Sequence, residues 1–504
     1  MTPASGEGTM APDPTEESRM TAPAEPTAPL AKTATIETTA AALDRAAVHA
    51  RRHLATLDEA PVRPTVSLET LRARFVRPLP DEGLDPAAVV DELAANAEGG
   101  LVRSAGPRYF GFVIGGSVPA ALAADWLTSA WDQNAGLYVI GPAAAVAEET
   151  AGAWLIDLFG LPQTASVGFT TGATMASFTG LAAGRHALLA KAGWDAERQG
   201  LFGAPEVPVV VSDESHVTIF AALQMLGMGR DRVIRVPTDD QGRMRPEALD
   251  TVLRDLDLPA LVTAQAGNVN TGAFDPLFPI VEAVRANGGW LHVDGAFGLW
   301  AAADPTRRHL VDGIGDADSW TTDAHKWLNV PYDSGLSFVR DAAAHHAAMT
   351  LGAAYYVETA GGERDPYNWV PESSRRARGF AVWAALRSLG RQGVAELIAR
   401  NSNAARRFAA GLEGGPGIRV LNDVVLNQVL VRFEDPSGDA AKGDARTAAI
   451  VQAVQEDGTI WLGGTTWHGM RAMRISVSNW MTTDAHADLG ATTIRRLAEA
   501  IPTG

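Results

Sequence analysis

The sequence has no cysteine among its 504 residues. Disulfides, thiolate metal sites, cysteine nucleophiles and cysteine-held iron–sulfur clusters are therefore all excluded. It also lacks any apolar run approaching the roughly 20 residues that a spanning helix needs. There is no Lys/Arg-rich block, and 42 basic against 59 acidic side chains leave a net charge of −17. Binding to a phosphate backbone or an acidic membrane surface needs clustered cations, so neither nucleic acid nor a membrane is an expected partner. The first thirty-odd residues lack the apolar centre of a signal peptide. Rich in Pro, Thr, Ala and Glu, residues 1–35 are expected to form a disordered tail, with Met10 and Met20 as alternative starts. A cytoplasmic location is expected.

What is present suits a globular enzyme: 46% hydrophobic and 20% charged residues. The length exceeds what one core organises, so two or three domains are expected. Helical spacing occupies 36–52, 86–97 and 142–159, and the aromatic, glycine-rich segment PRYFGFVIGG lies at 107–116. From 208 to 297, short β-branched runs alternate with helices of ten to fifteen residues. PVVVSD, RVIRVP, ALVTAQAG and WLHVDGAF are the predicted strands. Such alternation predicts a mixed, mostly parallel α/β sheet, with functional residues at the carboxyl ends of its strands. After Arg378, two helices, the strand VVLNQVLVRF and the strand MRISVSNW predict a smaller α+β domain.

Five features carry chemistry. SWTTDAHKWLN contains His325 and Lys326. A lysine whose amine is neutral part of the time forms an imine with an aldehyde, although a lone lysine is ordinarily a solvated surface residue. Asp294 ends the strand WLHVD, 32 residues earlier (326 − 294). A carboxylate there suits a pyridine nitrogen kept protonated, or equally the cap of a turn. In SVGFTTGATMASFTG, residues 168–174 run as a strand into a Thr/Gly turn and a helix follows from Met175. The free N–H groups of that helix start suit a phosphate, and an ordinary N-cap reads the same way. His216 follows the strand PVVVSD, where its ring suits stacking and proton transfer or a plain structural cap. The loop AGNVNTGAFD at 266–275 is the fifth, polar and equally explained as turn chemistry.

In this order and spacing the chain resembles the group II pyridoxal 5′-phosphate (PLP)-dependent decarboxylases. That family acts on aromatic amino acids, histidine, glutamate and cysteine sulfinate. The resemblance covers 41–480 and is most specific at HVDGAFG and DAHKWLN. It implies a PLP-dependent transferase fold of type I, aspartate aminotransferase-like. It also implies a helical segment over 36–118 swapped within a homodimer, a large PLP-binding domain over 119–378 and a small domain over 379–504. Lys326 resembles the lysine that forms the aldimine with PLP, His325 a phosphate contact, and Asp294 the pyridinium partner. Ala296 would lie against the ring and His216 would stack on it, while Gly172, Ala173 and Thr174 would hold the phosphate. Asp323 stands where many members carry Asn. The family's mobile loop would fall at 357–378, with Arg378 just after it; its proton-donating tyrosine aligns with Pro366, so Tyr367 is the candidate donor. Ile114 stands where some members place a hydroxyl near the substrate carboxylate.

The resemblance implies decarboxylation of an L-amino acid to the amine, through a Lys326 aldimine and a quinonoid intermediate, with no metal. Three alternatives stay open. Arg474, in a C-terminal-domain strand, suits the carboxylate clamp of an aminotransferase. The displaced loop tyrosine suits aldehyde-forming oxidative decarboxylation–deamination. A non-catalytic scaffold of the same fold would leave Lys326, Asp294 and His216 as buried polar groups without a use. The aromatic character of 109–114 suits an aromatic or medium-sized substrate, whereas Arg108 would suit an acidic one.

Overall fold

The computed structural model describes residues 35–350 and 363–501. They divide into two units. The first comprises 35–55 and 66–100, and the second 56–65 with 101 onward.

The first unit holds helices α1 (Ile36–Ala55), α2 (Leu68–Phe75) and α3 (Pro86–Ala97). Asp85 caps α3 through its side chain, and Pro86 occupies the first turn, where a missing N–H costs nothing. Helices α1 and α3 are joined by Asp91, which accepts from Arg45 at 2.8 Å and lies 2.6 Å from His49 Nε2. None of the three helices buries a residue. Leu43, Val48, Leu68, Phe75, Val89 and Leu93 are all exposed.

The second unit is built on two sheets. Seven strands form the larger: β1 (Ser166–Thr170), β2 (Val209–Ser212), β3 (Ile234–Val236), β4 (Leu261–Gln265), β5 (Trp290–Asp294), β6 (Ser319–Asp323) and β7 (Gly335–Val339). Their order is β1-β7-β6-β5-β4-β2-β3, with β7 antiparallel to both neighbours and the other pairs parallel. Strands β1 to β6 therefore all point one way, and their carboxyl ends share one edge. The strands β2, β4, β5, β6 and β7 are buried along their whole length, as expected of a sheet covered on both faces.

The covering helices are α4 (Pro119–Trp131), α5 (Pro142–Phe159), α6 (Ala173–Lys191), the short α7 (Ala196–Gln199), α8 (Val217–Met225), α9 (Pro246–Arg254), α10 (Leu277–Asn287) and α11 (Ala342–Met349). One core, around Phe159, Trp300, Trp320 and Trp327, fills one face of the sheet, and a second, around Leu181, Leu223 and Trp290, fills the other.

Helix α12 (Gly379–Leu412) is broken at Gly390, whose φ of 63° no helix contains, which accounts for the two separate helices expected there. With α13 (Ala440–Asp457) and α14 (Asp484–Ala500), its second half packs on an antiparallel sheet ordered β10-β11-β9-β8. Those strands are β8 (Ile418–Val420), β9 (Gln428–Phe433), β10 (Gly463–Trp467) and β11 (Met470–Ser476). Phe110, Phe408, Val431 and Ile475 lie in this smaller core. The β9 strand begins four residues later than the sequence pattern suggests, because 424–427 is an irregular turn.

Candidate active site

The carboxyl edge of the large sheet collects the sequence candidates. Thr170 of β1 and Asp323 of β6 both face Gly335, the first residue of β7. A Cβ on Gly335 would lie 2.4 Å from Gly172 Cα, so only glycine lets the start of α6 lie across this strand. Gly172 opens α6 without any side-chain cap. Its first turn carries backbone N–H groups at Ala173 and Thr174, of which that of Ala173 is already taken by Asp323.

Asp323 is buried between that turn and Lys326. Its Oδ1 accepts from the Ala173 N–H at 2.6 Å, and its Oδ2 lies 2.9 Å from Lys326 Nζ. The Lys326 side chain is 21% exposed, so its amine stays reachable. Gly115 lies so close that a Cβ there would meet the Lys326 carbonyl oxygen at 2.0 Å, which explains the glycine pair in PRYFGFVIGG. His325 Nδ1 accepts from the Ser334 N–H at 3.1 Å, and its Nε2 stands 3.6 Å from Asp323. Burial holds the His325 ring below its ordinary pKa.

On the next strand, Asp294 is 5% exposed. Its Oδ1 accepts from the Ala296 N–H at 3.0 Å. His216 is the N-cap of α8, with Nδ1 on the Thr218 hydroxyl at 2.8 Å. Burial, aided by the charges of Lys326 and Arg474, pushes His216 down against the opposing pull of Asp294 and Asp323. The imidazole is thus neutral at neutral pH. The carboxyl ends of β2, β4, β5 and β6 share one edge of the sheet, and Arg474 of β11 reaches the loop that follows β4.

Arg474 on β11 donates from Nη1 to the Val269 carbonyl at 3.0 Å, within the loop 266–275. From the same hairpin, Thr465 donates to Asn270 Oδ1 at 2.9 Å. This loop, which the sequence offered equally as facing the site and as turn chemistry, is where the small sheet meets the strand ends.

Several neighbours escaped the sequence reading. Tyr332, six residues after Lys326, stacks on the His325 ring with centroids 4.3 Å apart. Desolvation, with Asp323 and Tyr109 nearby, pushes its phenol up to about 12. Tyr109 stacks on Trp461 at 5.0 Å, and Phe112 stacks on the same indole at 5.8 Å. The turn residues Pro331 and Asp333 around Tyr332 were a local signal; nothing local joins Tyr109 to Trp461. Arg378 donates to Asp333 at 2.7 Å, immediately beside this turn. The Ile114 carbonyl accepts from the Ser478 hydroxyl at 2.9 Å.

Two expectations change. Arg108 is 7% exposed, and its guanidinium donates to the carbonyls of Thr459 and Ala60, beside Asp58. It is occupied by the backbone and does not serve an acidic substrate. Of the loop expected at 357–378, residues 357–362 lie outside the described residues, as does the tail 1–34. The rest is packed down. Arg364 donates to the Val167 carbonyl and lies 4.8 Å over the Trp369 ring. Tyr367 is 3% exposed on the 3-10 turn Pro366–Trp369, its backbone N–H on the Gly136 carbonyl at 2.9 Å.

The buried polar atoms that lack a hydrogen-bond partner among the described residues include Ser215 Oγ, Gln265 Nε2, Asn268 Nδ2 and Ser334 Oγ. Each such atom costs about 1–3 kcal/mol unless a ligand or water meets it. An uncapped helix start, an accessible amine, a buried carboxylate and a neutral imidazole fit the phosphate, aldehyde, ring nitrogen and ring face of PLP.

Comparison with known proteins agrees. Residues 69–434 match the pyridoxal-dependent decarboxylase conserved domain. The aromatic-L-amino-acid decarboxylase of Bacillus atrophaeus is 27% identical over 388 residues, covering 76% of this chain and 78% of that protein. The L-2,4-diaminobutyrate decarboxylase of Rhizobium meliloti (strain 1021) is 29% identical over 409 residues, 80% of each chain. Among solved structures, Oryza sativa TDC with PLP and tryptamine superposes with a TM-score of 0.86 at 22% identity, covering 92% of this chain and 98% of that one. The fold is therefore that of the PLP-dependent transferases of type I, and the chain belongs to the family of pyridoxal-dependent decarboxylases, whose cofactor is PLP.

Proposed function

We propose that this chain releases the α-carboxyl group of an L-amino acid as carbon dioxide and returns the amine, with Lys326 as the residue that holds PLP. Bound PLP supplies an electron-deficient ring that accepts the electron pair of the broken Cα–C bond. The single observation that carries the proposal is the Lys326 amine, reachable beside the start of α6 and sharing its surroundings with Asp294 and His216.

The residues divide the work. The backbone N–H groups from Gly172 to Thr174 would hold the phosphate at the helix N-terminus, the Ala173 N–H being shared with Asp323, with His325 beside it. Asp294 keeps a proton on the ring nitrogen, and its N–H bond from Ala296 fixes the carboxylate for this. His216, neutral, offers a flat face without adding charge, and Ala296 packs opposite. Lys326 gives up a proton to react and takes one back on release of product. Tyr367 is the proposed donor of the proton that replaces carbon dioxide. Arg474 steadies the loop 266–275 through Val269, a role that decarboxylation tolerates better than a bidentate grip on the carboxylate being lost.

For the substrate side chain, an aromatic group is favoured. Tyr109, Trp461 and Phe112 form a stacked aromatic shelf on the segment whose Gly115 lies against the Lys326 carbonyl, and Arg108 is committed to carbonyls. The test is carbon dioxide release against a panel of L-amino acids, with amine, aldehyde and keto acid measured in parallel. Amine in equal yield to carbon dioxide is expected. Keto acid without carbon dioxide would make the chain an aminotransferase, and aldehyde would make it an oxidative decarboxylase. Borohydride should fix PLP to the wild-type chain but not to Lys326→Ala.

The proposal includes a homodimer and a cytoplasmic location. Helices α1 to α3, which bury nothing of their own, support a second copy as their cover. So do the exposed Trp126, Trp131, Ile140, Trp154 and Trp383 of the second unit. Light scattering at twice the 53.0 kDa chain mass is expected, and a 53.0 kDa species would refute the dimer. Among the described residues, no helix is long and apolar enough to cross a membrane.

A further inference from the structure

Asp323 is a carboxylate placed where the cofactor's phosphate has its donors. The side chain is 3% exposed, so water screens it little. One oxygen takes the Ala173 N–H at 2.6 Å, and the other lies 2.9 Å from Lys326 Nζ. His325 Nε2 is 3.6 Å from the first oxygen, and a Cβ on Gly172 would be 3.6 Å from it as well. A helix start stabilises one anion readily. A second anion at the same start must share or take over the first one's N–H and bear its repulsion.

Resting on the PLP reading above, we propose that Asp323 is a built-in competitor of the cofactor's phosphate: it occupies the Ala173 N–H that the phosphate would take. It thereby sets PLP affinity below what an uncharged side chain of the same shape gives. Asp323 is thus a positioning residue at the phosphate site. Asp323→Asn keeps the oxygen that accepts from Ala173, removes the charge and adds an N–H able to donate to phosphate.

The test uses the full chain freed of cofactor, titrated with PLP and with pyridoxal, which lacks the phosphate. Binding is followed by quenching of tryptophan fluorescence. Asp323→Asn should bind PLP roughly tenfold more tightly, the scale of an anion relieved at a partly buried helix start. Its pyridoxal affinity should stay within about twofold of wild type, since an effect on phosphate alone does not touch pyridoxal. Unchanged or weaker PLP binding overturns the proposal, and so does equal tightening of both ligands, which would place the effect at Lys326. If circular dichroism shows Asp323→Asn misfolded, Asp323→Ser serves with the same expected direction. Borohydride labelling of Lys326 in the wild type separates the two levels. With no label the PLP reading itself fails; with label and no affinity gain, only the role of Asp323 fails.

Discussion

A carboxylate buried at a strand end costs free energy unless a hydrogen bond or a cation meets it. Asp294 receives one N–H, from Ala296, and its remaining capacity is what the ring nitrogen of PLP would use. Asp294→Ala should therefore lower turnover at saturating PLP by roughly a thousandfold, the scale of removing a preorganised charge from a reacting centre. It should leave borohydride trapping at Lys326 intact. Turnover within tenfold of wild type would show that Asp294 serves only the turn. Tyr367 calls for a different measurement, because its phenol is proposed to decide the product and not the rate of carbon dioxide loss. In Tyr367→Phe, assayed in air so that dioxygen is the two-electron oxidant, the yield of amine per carbon dioxide should fall while aldehyde, ammonia and hydrogen peroxide rise; an unaltered ratio places the proton donor elsewhere. Asp294, His216 and Lys326 stood out in the sequence because each ends or follows a recognisable strand within a few positions, whereas Tyr367 came from the resemblance alone. Tyr332 and Trp461 did not stand out. The Tyr109–Trp461 stack joins segments some 350 positions apart, and no local pattern records such a contact.

Among the elements, the start of α6 depends on how β1, β7 and β6 converge. Gly335 is flanked by Thr170 and Asp323, and the atom nearest its missing Cβ is the Gly172 Cα at 2.4 Å, a backbone atom that cannot swing aside. Gly335→Ala must push the helix start away from the strand and with it the N–H groups that hold the phosphate. Overpacking of this sort costs about 1–3 kcal/mol. The expected outcome is a lower thermal midpoint together with PLP binding weakened about tenfold, since about 1.4 kcal/mol lost at the site is a factor of ten. Gly463→Ala in β10 is the control, because nothing lies within 4 Å of its missing Cβ. Equal behaviour of the two variants would show that the approach of α6 to β7 is not what holds the site. The sequence alternation predicted β2 to β5 and their helices closely, because each strand there is followed by its own helix. It did not predict β7, which returns antiparallel after the lysine loop without a helix to announce it.

Over the whole molecule, the bulk of the architecture was legible because a parallel sheet writes a regular alternation into the chain. What was hidden is the set of buried titratable groups, since burial is a product of the assembled fold. Three of these carry the largest shifts that bear on how the second unit responds to acid. His292, bonded to the Ser319 hydroxyl beneath α6, and His345, bonded to Ser166 and to the Trp369 carbonyl, are both held down to about 3 by burial. Asp275 is pushed up to about 6 by burial, despite accepting from the N–H groups of Met244 and Gln265. A histidine with a depressed folded pKa binds its proton more readily when unfolded, so its stabilising contribution is complete above its unfolded value and is lost as pH falls toward 3. Asp275 acts in the opposite sense: its raised pKa costs stability as pH rises from about 4 to 6, so acidification relieves it. Between pH 7 and pH 5 the two histidines together remove more stability than the aspartate returns, for a net loss on the order of a few kcal/mol. Burial pushes His216 and His325 in the same direction as the other two histidines. Urea unfolding at fixed protein concentration should therefore show a lower midpoint at pH 5 than at pH 7, with an unchanged slope. His345→Asn retains hydrogen-bonding groups and removes the titration, so it should flatten part of that dependence. Equal midpoints at the two pH values in the wild type would mean that these histidines are not buried as neutral rings.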